Sequence, residues 1–282
     1  MKKRVIVNYS SAFGLPGVQP DAGMALIHLL ESKSIKLDAI VVSGAGPELN
    51  RVTAAIDWLL KFSGRTDLRV FGRCSDAEEK TADEAEREAA DLLTAFLNES
   101  EKTKGGKAVL LDIGEPQVLK LAAARMTSLS DYFSAIVFWN PGSTPPQRRG
   151  AAYPHGSLQD ETLYSVYTES CCPLTSFGEE AAFQSPLDID ELVDIRSSSK
   201  PLFYLLKDYL LCRAADANIV SQDFLYRLPP AVYLTNPELF SIQERTKNGF
   251  TFNICPYITD IKAYNSILHS SWTSWHKQEA SL

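Results

Sequence analysis

The chain has 282 residues, of which 45% are hydrophobic and 22% charged, with a net charge of −7. That apolar content excludes a disordered chain, and the acidic balance argues against nucleic acid or an anionic membrane as the main partner. No segment reaches the ~20 consecutive apolar residues of a membrane span.

The N-terminal MKKRVIVNYSS begins like a signal peptide, but its apolar run is too short. It reads as a first strand at 5–8, edged by Lys2, Lys3 and Arg4. Residues 21–32 carry Met24, Leu26, Ile27 and Leu30 at helical spacing. A strand follows at 37–42, a helix at 48–62 closed by Gly64, and a strand at 69–71. Residues 76–104 form a long charged helix with Leu92, Leu93, Phe96 and Leu97 on one face, the charges being a solvated face. After the Gly105-Gly106 break come a strand at 108–112, a helix at 117–125, a strand at 135–139 and a loop through 140–154. Residues 158–170 read as helix, 174–177 as strand, and 201–215 as a helix apolar on almost every side and therefore buried. A late strand at 250–254 precedes a last helix running to about residue 275. Strands alternating with helices predict an α/β fold, an open and mostly parallel central sheet flanked by helices, in a single domain over 1–282.

Cys74, Cys171, Cys172, Cys212 and Cys255 are odd in number and lack a pairing pattern, which suggests reduced thiols and a cytoplasmic protein. No CxxC or paired-His motif offers a zinc site. Neither GxGxxG, GxxxxGK[ST] nor GxSxG occurs in the loops that matter, so dinucleotide, P-loop and nucleophile-elbow chemistries lack support. Ligands of such sheets sit beyond the carboxyl ends of the strands. That singles out residues 8–21, 43–47, 112–116, 140–155 and 225–229.

In those segments a family likeness emerges. VIVNYSS…PDAGMALIHLL, the stretch IKLDAIVVSGAGPELNRVTAAIDWLLKFSGRTDLRVFGRC, LYSVYTESCCPLTSFGEEAAF, LYRLPPAVYLTNPELF and NGFTFNICP follow one another in the order and spacing of the inosine-uridine preferring nucleoside hydrolases. The chain resembles that family over most of its length. The resemblance implies cleavage of the N-glycosidic bond of ribonucleosides with a bound calcium ion, yet the positions that would carry this chemistry depart from the pattern. The family loop D-x-D-P-G-x-D-D falls on Asn8, Ser10, Pro20 and Asp21, so only Asp21 remains an acid. The family Asn after the second strand falls on Gly46, the ribose-gripping Glu-x-Asn on Tyr153 and His155, and the late His-Asp pair on Tyr226 and Arg227.

Calcium takes six to eight oxygens, several of them anionic, at ~2.3–2.6 Å. One carboxylate beside a guanidinium does not supply them, so the expectation is that the calcium site and the metal-activated water are lost and no cofactor is held. Asp21 has two readings: an acid at a helix start, worth ~0.3–1 kcal/mol against the dipole, or a pocket acid paired with Arg227. Arg227 is either an ordinary surface Arg, a stand-in for the cation, or a receptor for an anion. His155 is more often structural than catalytic in such a loop, and Tyr153 and Tyr226 can stack on a ligand or fill a core. Three functions remain open. The first is a divergent protein that keeps a nucleoside- or sugar-sized pocket for binding or regulation, with Asp21, Tyr153, His155, Tyr226 and Arg227 as ligand contacts. The second is a metal-free N-glycoside hydrolase, for which Asp21 with Asp112 or Glu115 is the available carboxyl pair. The third is a structural subunit with a filled pocket. The expected partner is a nucleoside, ribosyl or phosphorylated-sugar ligand, with neither nucleic acid nor membrane, and homo-oligomerisation stays open.

Overall fold

The computed structural model describes residues 2–13, 18, 20–43, 46–72, 81–102, 106–115, 117–140, 166–167, 169–184, 186–187, 223–247 and 250–274. The elements, in chain order, are β1 (Lys3–Tyr9), α1 (Asp21–Glu31), β2 (Ile35–Val42), α2 (Gly46–Phe62), β3 (Arg69–Phe71), α3 (Ala82–Lys102), β4 (Ala108–Asp112), α4 (Gln117–Ala123), β5 (Phe133–Trp139), β6 (Leu174–Phe177), α5 (Glu179–Ala182), β7 (Pro186–Leu187), β8 (Asp223–Phe224), α6 (Leu228–Thr235), β9 (Phe240–Lys247), β10 (Phe250–Ile258) and α7 (Ile261–Ser274). Eight strands join in one sheet of order β3-β2-β1-β4-β5-β6-β10-β9, and β7 and β8 form a separate antiparallel pair. Only the β9–β10 pairing within the large sheet is antiparallel.

The central strands are buried on both faces, as a parallel sheet requires. Along β1, Val5, Val7 and Tyr9 join one apolar cluster and Ile6 the other. The first cluster is completed by α1, α2, α6 and α7 through side chains such as Met24, Ile56, Val232 and Leu268. The second is closed by α3 and α4, where Leu93, Leu97, Val118 and Ala122 are buried. Gly64, at φ 65°, ends α2 in the left-handed region that suits glycine. The order reverses at β1: β2 and β3 lie on one side, and β4, β5, β6, β10 and β9 on the other. In sheets of this kind ligands bind beyond the carboxyl ends of the strands at such a switch point, here β1 and β4.

The expected strands at 69–71, 108–112 and 174–177 are found with the expected bounds, while 117–125 is helical only to Ala123 and the late strand extends to Ile258. The expected helix at 201–215 and most of that at 158–170 lie outside the described residues. The antiparallel edge strand β9 and helix α6 had no place in the sequence reading. SIQERTK offers no apolar alternation, and Pro229-Pro230 reads as a loop, although Pro is at home in the first turn of a helix. No helix among the described residues is long and apolar enough to cross a membrane.

Candidate functional site

At this end of the sheet the chain assembles two adjoining polar groups. The first begins at Asp21, the opening residue of α1, whose side chain is fully buried. Its Oδ1 accepts the Ala22 backbone N–H at 2.8 Å, satisfying one of the donors that a helix start leaves unpaired. Gly23 lets this first turn approach the loop behind β1, since a Cβ there would stand 2.1 Å from the Phe13 ring. Arg227, immediately before α6, reaches the same carboxylate twice. Its backbone N–H donates to Oδ2 at 3.1 Å and its Nη1 to Oδ1 at 3.1 Å. The pair is therefore not a guanidinium fork on a carboxylate. One arm is side chain and the other is main chain, which fixes the start of α6 against the start of α1. The guanidinium also lies over the Trp139 ring, 5.0 Å from its centroid, a placement favoured by the electron-rich ring face. Trp139 in turn contacts Tyr226, which packs edge-on against Phe183.

The second group ties together the ends of three neighbouring strands and the helical residue Tyr167. Asn8 Nδ2 donates to Asp112 Oδ1 at 2.7 Å and to the Glu115 carbonyl at 2.7 Å, while its Oδ1 accepts from Ser43 Oγ at 3.0 Å. The Tyr167 hydroxyl donates to Asp112 Oδ2 at 2.8 Å. Burial pushes the Asp112 carboxyl up, although its bonds from Asn8, Tyr167 and Gly114 and the charge of Arg227 pull the other way. Tyr167 is held well above the usual phenol range by burial first and then by the Asp112 carboxylate it faces. Gly114 makes the junction tight, because a Cβ at that position would lie 2.7 Å from the Tyr9 backbone N.

Tyr9 stands between the groups. It is fully buried, and burial raises its pKa, with Asp21 adding to the rise and Arg227 opposing it. The Ser11 side chain, beside the Tyr9 hydroxyl, works against that rise. Tyr9 Oη, Ser11 Oγ and Arg227 Nε are buried without a hydrogen-bond partner.

The structure thus brings Asp21, Arg227, Tyr226 and Asp112 to one end of the sheet. Glu115 contributes its carbonyl there, while its carboxylate lies within electrostatic reach of Glu86 on α3. Tyr226 is buried against aromatic neighbours. Tyr153 and His155 lie outside the described residues. Pro20 caps α1 and Gly46 opens α2. The sequence reading missed Tyr9, Ser43, Trp139 and Tyr167. The first three end strands at the inspected edge or directly follow one, and that position was the available signal; Tyr167 had none. Among the described residues, no three His, Cys, Asp or Glu side chains are grouped so that they could hold a metal ion.

By sequence the chain matches no protein-family model and no curated protein. By structure it superposes along nearly its whole length on solved proteins. A plant nucleoside hydrolase, PpNRh1, aligns with a TM-score of 0.69 at 16% identity, covering 97% of this chain and 100% of that one. The inosine-uridine preferring nucleoside hydrolase from Bacillus anthracis aligns with a TM-score of 0.66 at 16% identity, covering 97% and 99%. The type III effector protein XopQ, solved with adenosine diphosphate ribose, aligns with a TM-score of 0.70 at 14% identity, covering 98% and 95%. The chain has a nucleoside hydrolase-like fold. At these identities the likeness is one of fold, and the two polar groups lie at the switch point of a nucleoside hydrolase-like sheet.

Proposed function

We propose that this nucleoside hydrolase-like chain holds no calcium and acts as a binding or regulatory protein, with a pocket for a nucleoside or another ribosyl compound. The observation that carries the proposal is the Arg227 guanidinium on the Asp21 carboxylate. A divalent cation would have to displace a fixed positive charge and break two hydrogen bonds from one residue. The oxygens of the neighbouring positions do not fit calcium either. Asn8 spends both amide hydrogens and its carbonyl inside its own network, and calcium sites need several anionic oxygens. With no ion, no metal-bound water becomes a nucleophile.

Metal-free hydrolysis is the weaker reading for a geometric reason. A general acid and a general base must each be free to face the scissile bond. The Asp21 carboxylate is engaged by Arg227 and Ala22, and the Asp112 carboxylate by Asn8 and Tyr167. A filled pocket in a structural subunit is favoured by one observation, the burial of Trp139 and Tyr226 against each other. The three readings separate in one set of measurements on the purified full-length chain: calorimetric titration with ribose, inosine, uridine and ADP-ribose, alongside a reducing-sugar assay with both nucleosides. Saturable binding without turnover is expected. Turnover near ~1 per second or faster would establish a metal-free hydrolase, and silence in every titration would favour the filled pocket.

A further inference from the structure

At the amino ends of β1, β4 and β5, the opposite end of the sheet from Asp21 and Arg227, the structure holds a cavity of about 260 Å³. Part of its wall is apolar: Ile6 on β1, Leu97 on α3 and Ala108 on β4 line it and are buried. The rest of the wall is charged, with Arg4 on β1, Lys107 just before β4 and Asp131 just ahead of β5. Gly106 borders the same space, and a Cβ there would meet nothing within 4 Å.

The three charges differ in how far the protein satisfies them. Arg4 is held, its Nε donating to Asp38 Oδ2 and its Nη1 to the Gly106 carbonyl, and the Asp38 carboxylate balances its charge. Lys107 spends one N–H on the Ser130 carbonyl and pairs with no carboxylate among the described residues. The Asp131 carboxylate has no hydrogen bond and no ion pair among the described residues, although it shares the cavity with Lys107. Both are exposed, so they belong to the outer part of the cavity. A ligand of one sign would be drawn to one of them and repelled by the other. A molecule carrying both signs meets a partner for each, and an apolar group on it gains by covering Ile6, Leu97 and Ala108. The volume lies just under the ~300 Å³ at which pockets for drug-sized ligands begin, which suits a smaller molecule.

We propose that this cavity is a second binding site, for a free α-amino acid with an aliphatic side chain. Lys107, with the N–H groups that Arg4 has not spent, takes the carboxylate; Asp131 takes the ammonium; Ile6, Leu97 and Ala108 take the side chain. The site shares no residue with the two polar groups at the switch point and does not rest on the nucleoside reading.

The test is calorimetric titration of the full-length chain with L-leucine and with three molecules that each lack one of its features: isocaproate without the ammonium, isoamylamine without the carboxylate, and glycine without the side chain. Leucine should bind saturably at millimolar concentration or below, and each of the other three at least ten-fold more weakly. Asp131→Asn and Lys107→Met should each weaken leucine roughly ten-fold or more, the loss of one charge-assisted contact. Because both side chains are exposed, neither variant should shift the ligand-free melting temperature. Absence of saturable leucine binding overturns the assignment. So does isocaproate, isoamylamine or glycine binding as tightly as leucine, or wild-type leucine affinity in either variant. Should one variant fail to fold, the other decides together with the analogue that lacks the matching charge. Titrations with ribose and nucleosides are unaffected by any of these outcomes, so the two sites stand or fall separately.

Discussion

The two polar groups at the switch point are neighbours built on opposite terms. The Asn8–Asp112–Tyr167–Ser43 group is closed: the Asn8 amide uses both donors and its acceptor, and both carboxylate oxygens of Asp112 are bonded. The Asp21–Arg227 group is open, with a charge pair satisfied on the carboxylate side and a guanidinium Nε, a phenol and a hydroxyl left over. Closed networks make a site rigid. On the binding reading proposed above, the first group is structural and the second is the one left to recognition, although both start from the end of β1, Asn8 in one and Tyr9 in the other.

The largest effect should come from breaking the pair. Arg227→Met leaves a fully buried Asp21 carboxylate without its cation, and the loss of one partner from a buried pair costs about 3–5 kcal/mol. Asp21→Asn combined with Arg227→Met should recover much of that loss in urea unfolding. If the single variants are as stable as wild type, solvent screens the pair and the comparison fails on its open side.

Next in size is an acid transition that neither group causes. His28, on the same helix as Asp21, is buried between the hydroxyls of Ser271 and Thr235 at 2.9 Å each, and burial pushes its pKa down to about 4. Below its ordinary value of about 6.5 the unfolded chain binds the proton and the folded chain does not. Stability should therefore be full above pH 6.5, fall as pH drops towards 4 and level off below, a loss on the order of 3 kcal/mol. His28→Gln should flatten this part of the profile. An unchanged profile would place the acid sensitivity in a group other than His28, and not in Asp112, whose raised pKa works in the opposite direction.

Asn8→Ala should cost about 1–3 kcal/mol, since it strips a donor from Asp112 and from the Glu115 carbonyl in a buried place. Ser43→Ala removes a single bond to Asn8 and should cost about 0.5–1.5 kcal/mol. Neither should change sugar affinity. A loss of affinity in Asn8→Ala at unchanged stability would move recognition into the group described here as closed.

Much of this was legible in the chain, for identifiable reasons. Strands such as AVLLD and LTSF are apolar runs bounded by breakers, so their ends could be read directly. The charged strand β9 gave no such signal because the sheet edge lets it face water. The proximity of Asp21 and Arg227 could be anticipated only because both fall on positions that converge in the family the chain resembles. Their mixed contact, through one backbone amide and one guanidinium arm, depends on Arg227 preceding a proline-started helix, which local sequence patterns do not specify. The closed network was illegible for a similar reason. Asn8 and Asp112 are 104 positions apart, and their contact exists only once β1 and β4 are paired.

The central claim is that a guanidinium has taken the place of a metal ion. It is tested most directly by calorimetric titration of the wild-type chain with calcium at neutral pH, with Asp21→Ala as control. The account predicts no heat beyond dilution for either protein. A saturable site of micromolar affinity in wild type that disappears in Asp21→Ala would contradict it.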